Sequence, residues 1–342
     1  MRLSRTSTAR FISCAVLTLA ALTSLPTPTE AAPARCSNSI DVVGYSDALD
    51  KVAVTGQRIG GLSALTRDST SGNYLTLPDH GPNGAVIWTL TDPGNPRIVG
   101  GPLILKDPAG RALGADPDNE GLAVGRDGVL IISSESAPSI RVFGRDGRQR
   151  SEVPVPQAFR VTPFGRAQPN TTLEGLTVTP SGDRLIAAME GPLVGERSHR
   201  FLDYRRTASG RYALVRELVY QAGAGMRIAD IAAYREDRIV VLEAAYSSGS
   251  GNTVRLTTSR IGPVSGSATA RVVDRRDLAN LTRCPTLGAK TKELQRNPLM
   301  DNYEGLAVTQ AGDRFTLRLI SDDNFSAKQV TRLLTLSAKL PS

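Results

Sequence analysis

The chain has 342 residues, 40% of them apolar, and a formal charge of +8. That apolar share supports a packed core and excludes a disordered chain. The excess charge is nearly all arginine, with lysine only at 51, 106, 290, 292, 328 and 339, and no basic block carries interleaved aromatics, which excludes nucleic acid as the expected partner.

Residues 1–34 read as a signal peptide. Arg2, Arg5 and Arg10 precede the apolar run "FISCAVLTLAALTSL" (11–25), and "AAPA" (31–34) offers small residues for cleavage after Ala32 or Ala34. No later segment is apolar for long enough to cross a bilayer. The expectation is an exported, secreted protein without a membrane anchor, with residues 35–342 forming a single domain. Cys14 leaves with the signal. Cys36 and Cys284 remain, and in an exported protein they suggest one disulfide tying the mature N-terminus to a late loop; two separate free thiols are the other reading.

The rest of the chain repeats. "RIGGLSAL" (58–65), "DNEGLAV" (118–124), "TTLEGLTV" (171–178), "RIADIAAY" (227–234) and "DNYEGLAV" (301–308) each open a unit, about 55–75 residues apart. Each is followed by a second strand-like run: 73–81, 128–136, 183–191, 237–245 and 314–324. Third runs occur at 85–90, 139–144, 199–204, 252–258 and 329–336, and fourth runs in "RIVGGPLIL", "SEVPVP", "YALVRELVY" and "ARVVDRR". Short β-branched or apolar runs bounded by Gly, Pro, Asn and Asp predict antiparallel strands. Four strands repeated radially predict an all-β fold, a β-propeller. The last unit lacks a fourth strand, and "NSIDVVGYSDAL" (38–49) can supply it by pairing with the C-terminal run, which closes the ring and leaves no open edge. Five blades are predicted. Six is the alternative, since 259–300 is long enough to hold more structure.

In a blade the start of the innermost strand and the end of the second lie on one face of the disc. Carboxylates fall at both places. Glu120, Glu174 and Glu304 stand at first-strand starts, with Asp230 one position later; Asp79, Glu135, Glu190, Glu243 and Asp322 or Asp323 stand at second-strand ends. Asp118, Asn119, Asp301, Asn302 and Asn324 add oxygens nearby. So many acids at one mouth repel each other unless a cation or arginines offset them. Calcium, which takes six to eight oxygen ligands, suits such a set, whereas two histidines and two mature cysteines argue against zinc or copper. Each Glu can instead serve the fold by accepting backbone N–H bonds, with its glycine supplying a left-handed conformation. There is no Gly-x-Ser-x-Gly elbow. His80, in "PDHG", is a candidate general base or acid at the same mouth. His199 leads a third run, and its neighbour Arg200 is a candidate clamp for an anion, as is Lys328.

Taken together, "DNEGLAV…GVLIISSES", "TTLEGLTVTPSGDRLIAAMEGPL", "HRFLDY", "RIADIAAY…DRIVVLEAAY" and "DNYEGLAV…LISDDN" resemble the phytase-like family described as "esterase-like activity of phytase", over roughly residues 55–337. The resemblance implies a secreted propeller hydrolase acting on phosphate esters or other small esters. Its motif positions fall here on Glu120, Glu174, Glu190, Glu243, Glu304, Asp322, Asp323 and Asn324. Gly60 departs from the pattern by replacing the acid, which implies an opening beside Asp79 and His80. The expected reading is a calcium-assisted hydrolase, with Glu120, Glu174, Glu304, His80 and Arg200 as catalytic candidates, a small anionic or ester substrate, and a monomeric state. A non-catalytic extracellular ligand-binding propeller with structural calcium, or a lactonase-type metal propeller, are the other readings.

Overall fold

The computed structural model describes residues 34–342 apart from 83, 92–93, 115–117 and 263–269. The signal peptide expected over 1–34 lies outside the described residues except for Ala34. Among the described residues no helix is long and apolar enough to cross a membrane.

The strands assemble into five antiparallel blades. Blade 1 holds Leu62–Arg67, Tyr74–Pro78 and Val86–Thr91, with two short outer strands, Arg97–Ile98 and Leu103–Ile104, both pairing with the third. Blade 2 holds Asn119–Val124, Leu130–Ser134, Ser139–Phe143 and Gln149–Val153; blade 3 holds Leu173–Val178, Arg184–Met189, His199–Arg206 and Tyr212–Tyr220. Blade 4 holds Arg227–Arg235, Arg238–Ser247, Gly251–Arg260 and Arg276–Asn280. Blade 5 takes Asn302–Ala311, Arg314–Asp322 and Leu333–Ala338 from the end of the chain and Ile40–Ser46 from its beginning. The five innermost strands touch in the order 1-2-3-4-5-1, so the ring closes as a five-bladed β-propeller.

The run "ARVVDRR" divides. Arg271–Val272 crosses to blade 3 and pairs in parallel with Leu218 and Val219, covering that blade's outer edge, while Arg276–Asn280 becomes the fourth strand of blade 4. The described residues of 259–300 therefore form no sixth blade.

The core is five apolar wedges, one in each seam between neighbouring blades. Leu62, Leu65 and Trp88 meet Ala307, Ile320 and Leu333 in one seam; Ile186, Phe201 and Tyr220 meet Ile228, Ile231 and Val241 in another. Strand periodicity sorts the residues. In blade 2, Leu130 and Ile132 face the seam with blade 1 and Ile131 faces the seam with blade 3. A strand buried on both faces needs apolar side chains at every position, so these strands read as continuous apolar runs.

The glycine of the Glu-Gly-Leu motif is there for close approach. Gly121, Gly175 and Gly305 do not have positive φ, which corrects the left-handed expectation. A Cβ on Gly305 would sit 2.6 Å from the Ala64 carbonyl carbon and 2.6 Å from the Leu65 nitrogen in blade 1. Backbone cannot yield as a flexible side chain does, so Gly305→Ala is expected to cost about 1–3 kcal/mol. Urea unfolding checks this as a lower midpoint at unchanged slope.

Ring closure is clasped twice. Ile40 lies opposite Ala338 and Ser46 opposite Leu333. Arg332, fully buried, donates to both oxygens of Asp47 at 2.7 and 2.8 Å. The Cys36–Cys284 disulfide spans 248 residues, a loop whose closure is worth about 5 kcal/mol by chain entropy.

Candidate functional site

Every innermost strand has a register shift near its start: between Leu62 and Ala64, Asn119 and Leu122, Leu173 and Leu176, Ile228 and Asp230, and Tyr303 and Gly305. Such bulges re-aim side chains, and in blades 2, 3 and 5 the re-aimed residues are Glu120, Glu174 and Glu304. All three are buried.

Glu120 is where the acids converge. Carboxylate oxygens of Asp79, Asp118 and Glu120 lie within 4.8 Å of one another, as do those of Glu120, Glu135 and Glu174. No described residue donates a hydrogen bond to the Glu120 carboxylate. Burial, and then the charges of Glu304, Asp79, Glu135 and Asp118, push it well above the usual carboxylate range. Burial does the same to Glu174, reinforced by Glu120 and Glu190 and opposed by Arg227. Glu135 is pushed up to about 7 by burial, with Glu190 and Asp118 adding to it, although the Thr172 amide donates to it at 2.6 Å. Asp79 rises to about 6, again chiefly through burial. Burial and the charges of Glu304 and Asp79 raise Asp322; burial raises Glu190.

One cation faces this group from within. Arg227 reaches Glu174 and Glu190 through Nη1, each at 3.1 Å, and Glu304 and Asn302 through Nη2 at 2.8 and 3.0 Å. Sequence reasoning missed it, though a signal was present. The two motif copies without the glutamate, at Gly60 and Ala229, both carry arginine two positions earlier, as Arg58 and Arg227.

Several expected ligands are committed elsewhere. Asp230 accepts from the backbone amides of Ile231 and Leu306, each at 2.7 Å, and of Leu176, pinning the innermost strands of blades 3, 4 and 5 together. Glu243 is held by Arg275 at 2.7 and 2.8 Å and by Tyr220; burial raises its pKa, but these partners outweigh it and the net shift is downward. Asp323 binds Lys51 and the amides of Gly61 at 3.0 Å and Phe325 at 3.1 Å. Asn324 is exposed, with its amide on Asp322 at 2.6 Å. Arg200 pairs with Glu196 and Glu217 on the periphery of blade 3, away from the acids.

The opening expected beside Gly60 is filled. A Cβ on Gly60 would lie 2.5 Å from Asp323 Oδ1, and one on Gly61 or Gly81 would lie 2.6 or 2.7 Å from the Phe325 ring. The missing acid makes room for blade 5's own loop. His80 does stand at the mouth, half exposed, with Nδ1 on Asp79 Oδ2 and its ring 6.1 Å from that of Phe325. Asp79 Oδ1 is buried and has no hydrogen-bond partner. His199 is buried, and burial lowers its pKa.

The fold and the mouth define a five-bladed propeller with a ring of buried and half-buried acids around Arg227. The chain belongs to the phytase-like family, "esterase-like activity of phytase", which matches residues 57–325 and so takes in every acid of the mouth. No curated protein matches it. Among solved structures it is similar to a gluconolactonase from Xanthomonas campestris, at 12% identity over 92% of this chain and 97% of that one, with a TM-score of 0.43. It is also similar to the aldose sugar dehydrogenase from Streptomyces coelicolor, at 14% identity over 89% and 99%, TM-score 0.41, and to virginiamycin B lyase from Staphylococcus aureus, at 11% over 84% and 68%, TM-score 0.38. Likeness at this level says nothing of activity.

Proposed function

We propose that the protein is an exported, calcium-assisted hydrolase of phosphate esters or other small esters, acting at the acidic mouth. One observation carries the reading: Glu120 is shared by two groups of converging carboxylates, and no described residue donates a hydrogen bond to it. The donor set is all oxygen and rich in charge, and includes the orphaned Asp79 Oδ1, which fits a hard cation with tolerant geometry. Asp79, Asp118, Glu120, Glu135 and Glu174 would hold it. Bound there, calcium supplies neutralisation of an ester or phosphate oxyanion and a more acidic water.

The chain's own groups do the rest. Arg227 is engaged with Glu174, Glu190 and Glu304 and keeps them in place without occupying Glu120. Asp79 takes Nδ1 of His80, which leaves Nε2 at the rim to take a proton from the attacking water and return it to the leaving group. Glu304 accepts from Ser63 and Asn302 as well as Arg227, which fixes its position.

The test is turnover of para-nitrophenyl phosphate and para-nitrophenyl acetate by the purified protein, in calcium and in chelator. Calcium-dependent hydrolysis of at least one, reduced at least about 100-fold in Glu120→Gln, is expected. No turnover of either under any metal condition sinks the reading. Calcium-dependent stabilisation without turnover would make the protein a binding propeller instead.

A further inference from the structure

We propose that a groove on blade 2, opening beside the mouth, binds a second anionic group of the substrate through Arg141. This rests on the hydrolase reading above and narrows it: the preferred ester carries a carboxylate or phosphate remote from the bond that is cleaved.

The groove has a volume of about 770 Å³ and is lined by Ser136, Ser139, Arg141, Arg160 and Phe164 among others. A smaller hollow of about 320 Å³ shares Ser136, Ser139 and Arg141 with it and adds Ser134. Both adjoin the acids directly. Ser136 donates to Asp118 Oδ2 at 2.7 Å, and Asp118 belongs to the group that includes Asp79 and Glu120. Ser134 donates to Asn119, the residue before Glu120, at 2.8 Å. A molecule held at the mouth by one end therefore has its other end at the groove.

Arg141 is the reason to expect an anion there. Its Nη2 donates to Asn119 Oδ1 at 3.0 Å and to Ser134 Oγ, which fix the guanidinium in place with neutral partners. Its Nε is buried and has no hydrogen-bond partner. The carboxylate opposite on the neighbouring strand is Glu152, which also lines the groove and acts on Arg141 through its charge but makes no ion pair with it, accepting instead from Gln149 Nε2 at 3.1 Å. Among the described residues Arg141 has no ion pair. A half-buried guanidinium with a free Nε and no ion pair among the described residues has lost hydration that two hydrogen bonds and the Phe143 ring, 5.9 Å away, replace only in part. A planar oxyanion restores it, and the fork of N–H donors suits carboxylate and phosphate alike. Arg160, exposed on the far wall, adds positive charge, and Phe164, 76% exposed, gives the groove an apolar side suited to the carbon chain between the two ends. The mouth itself repels anions in the absence of a cation, so the division of labour is one of charge: calcium and the reacting oxyanion at the mouth, Arg141 and the remote anion in the groove.

Calorimetric titration of the full chain with glutarate, and separately with inorganic phosphate, tests the groove without catalysis. Both are run in chelator so that no metal at the mouth contributes. At least one is expected to bind, glutarate marking a carboxylate-bearing substrate and phosphate a phosphorylated one. Arg141→Gln is expected to weaken that binding about 10- to 100-fold, the loss of a charge-assisted hydrogen bond, and Arg141→Lys to recover part of it. Arg160→Gln, on the exposed wall, guards against a variant that fails to fold and is expected to weaken binding about threefold. Absence of binding by the wild type, or binding that survives both glutamine substitutions, overturns the proposal. In calcium, the preference for para-nitrophenyl glutarate over para-nitrophenyl pentanoate is expected to collapse by the same factor in Arg141→Gln. Hydrolysis of neither ester, with anion binding still lost in that variant, sinks the hydrolase reading and leaves the groove standing.

Discussion

Replacing Glu120 by glutamine is expected to raise the Tm of the calcium-free protein at pH 7 and to abolish most of the rise that calcium gives the wild type. Two opposite effects of one substitution follow from one cause. Without a cation, Glu120 is a buried carboxylate among Glu304, Asp79, Glu135 and Asp118, and its charged form is disfavoured. An amide of nearly the same shape removes that repulsion. With calcium bound, the same carboxylate is a ligand, and its loss weakens the complex. Saturating calcium, at about 100 times its Kd, stabilises the wild type by about 2.7 kcal/mol. The pH dependence has a definite sign. A carboxyl whose folded pKa lies above its unfolded value binds more protons in the folded state, so stability falls as pH rises through the interval between the two. Glu135 moves from 4.5 to about 7 and Asp79 from 3.8 to about 6, so the calcium-free wild type loses stability from about pH 4 to pH 7. Glu135 alone accounts for about 3 kcal/mol at most. Scanning calorimetry at pH 5 and pH 7, in chelator and in calcium, reads all of this. Equal destabilisation of Glu120→Gln in both media would show that the residue serves the fold alone.

Arg227→Met is expected to cost about 3–5 kcal/mol at pH 7, the usual loss when one member of a buried ionic group is removed and its partners keep their charge. Glu174, Glu190 and Glu304 would then face one another across the mouth with no cation bonded to them. Methionine fills a similar volume, so the loss is electrostatic and must shrink at pH 5, since burial raises Glu174 and Glu190 and favours their protonation as pH falls. Urea unfolding at the two pH values separates the causes. A loss of the same size at both would mean that packing, not charge, is what Arg227 supplies.

The blades were legible because their strands are short, apolar on both faces and separated by glycine, proline and asparagine turns. The acids of the mouth were legible because innermost-strand starts and second-strand ends share a face, a rule that needs no coordinates. It stops at side-chain direction. Glu135 and Glu243 occupy equivalent places at second-strand ends, yet Glu135 joins Glu120 and Glu174 while Glu243 turns to Arg275 and Tyr220. Asp230 takes the motif glycine's position in blade 4, and the close approach that requires glycine elsewhere becomes there a carboxylate bonded to backbone amides of its neighbours. Gly60 looked like a gap, but Phe325 and Asp323 from the opposite end of the chain fill it. Each of these turns on contacts between residues far apart in sequence, which spacing along one strand does not encode.

The clasped seam of blade 5 also decides how the ring bears a mechanical load. The closing strands run antiparallel with Ile40 opposite Ala338, so the start of the N-terminal closing strand and the end of the C-terminal one lie at the same edge. Tension between two such ends peels paired residues apart one at a time, the weakest way to load a sheet. The disulfide lies outside the first pair, at Cys36, and passes the pull on the N-terminal side into Cys284 on the flank of blade 4. The C-terminal strand, paired on both sides, is left to take the rest, and the Pro341 carbonyl, which accepts from Tyr234 Oη at 3.1 Å, gives before the Lys339 amide lets go of the Ser39 carbonyl at 2.8 Å.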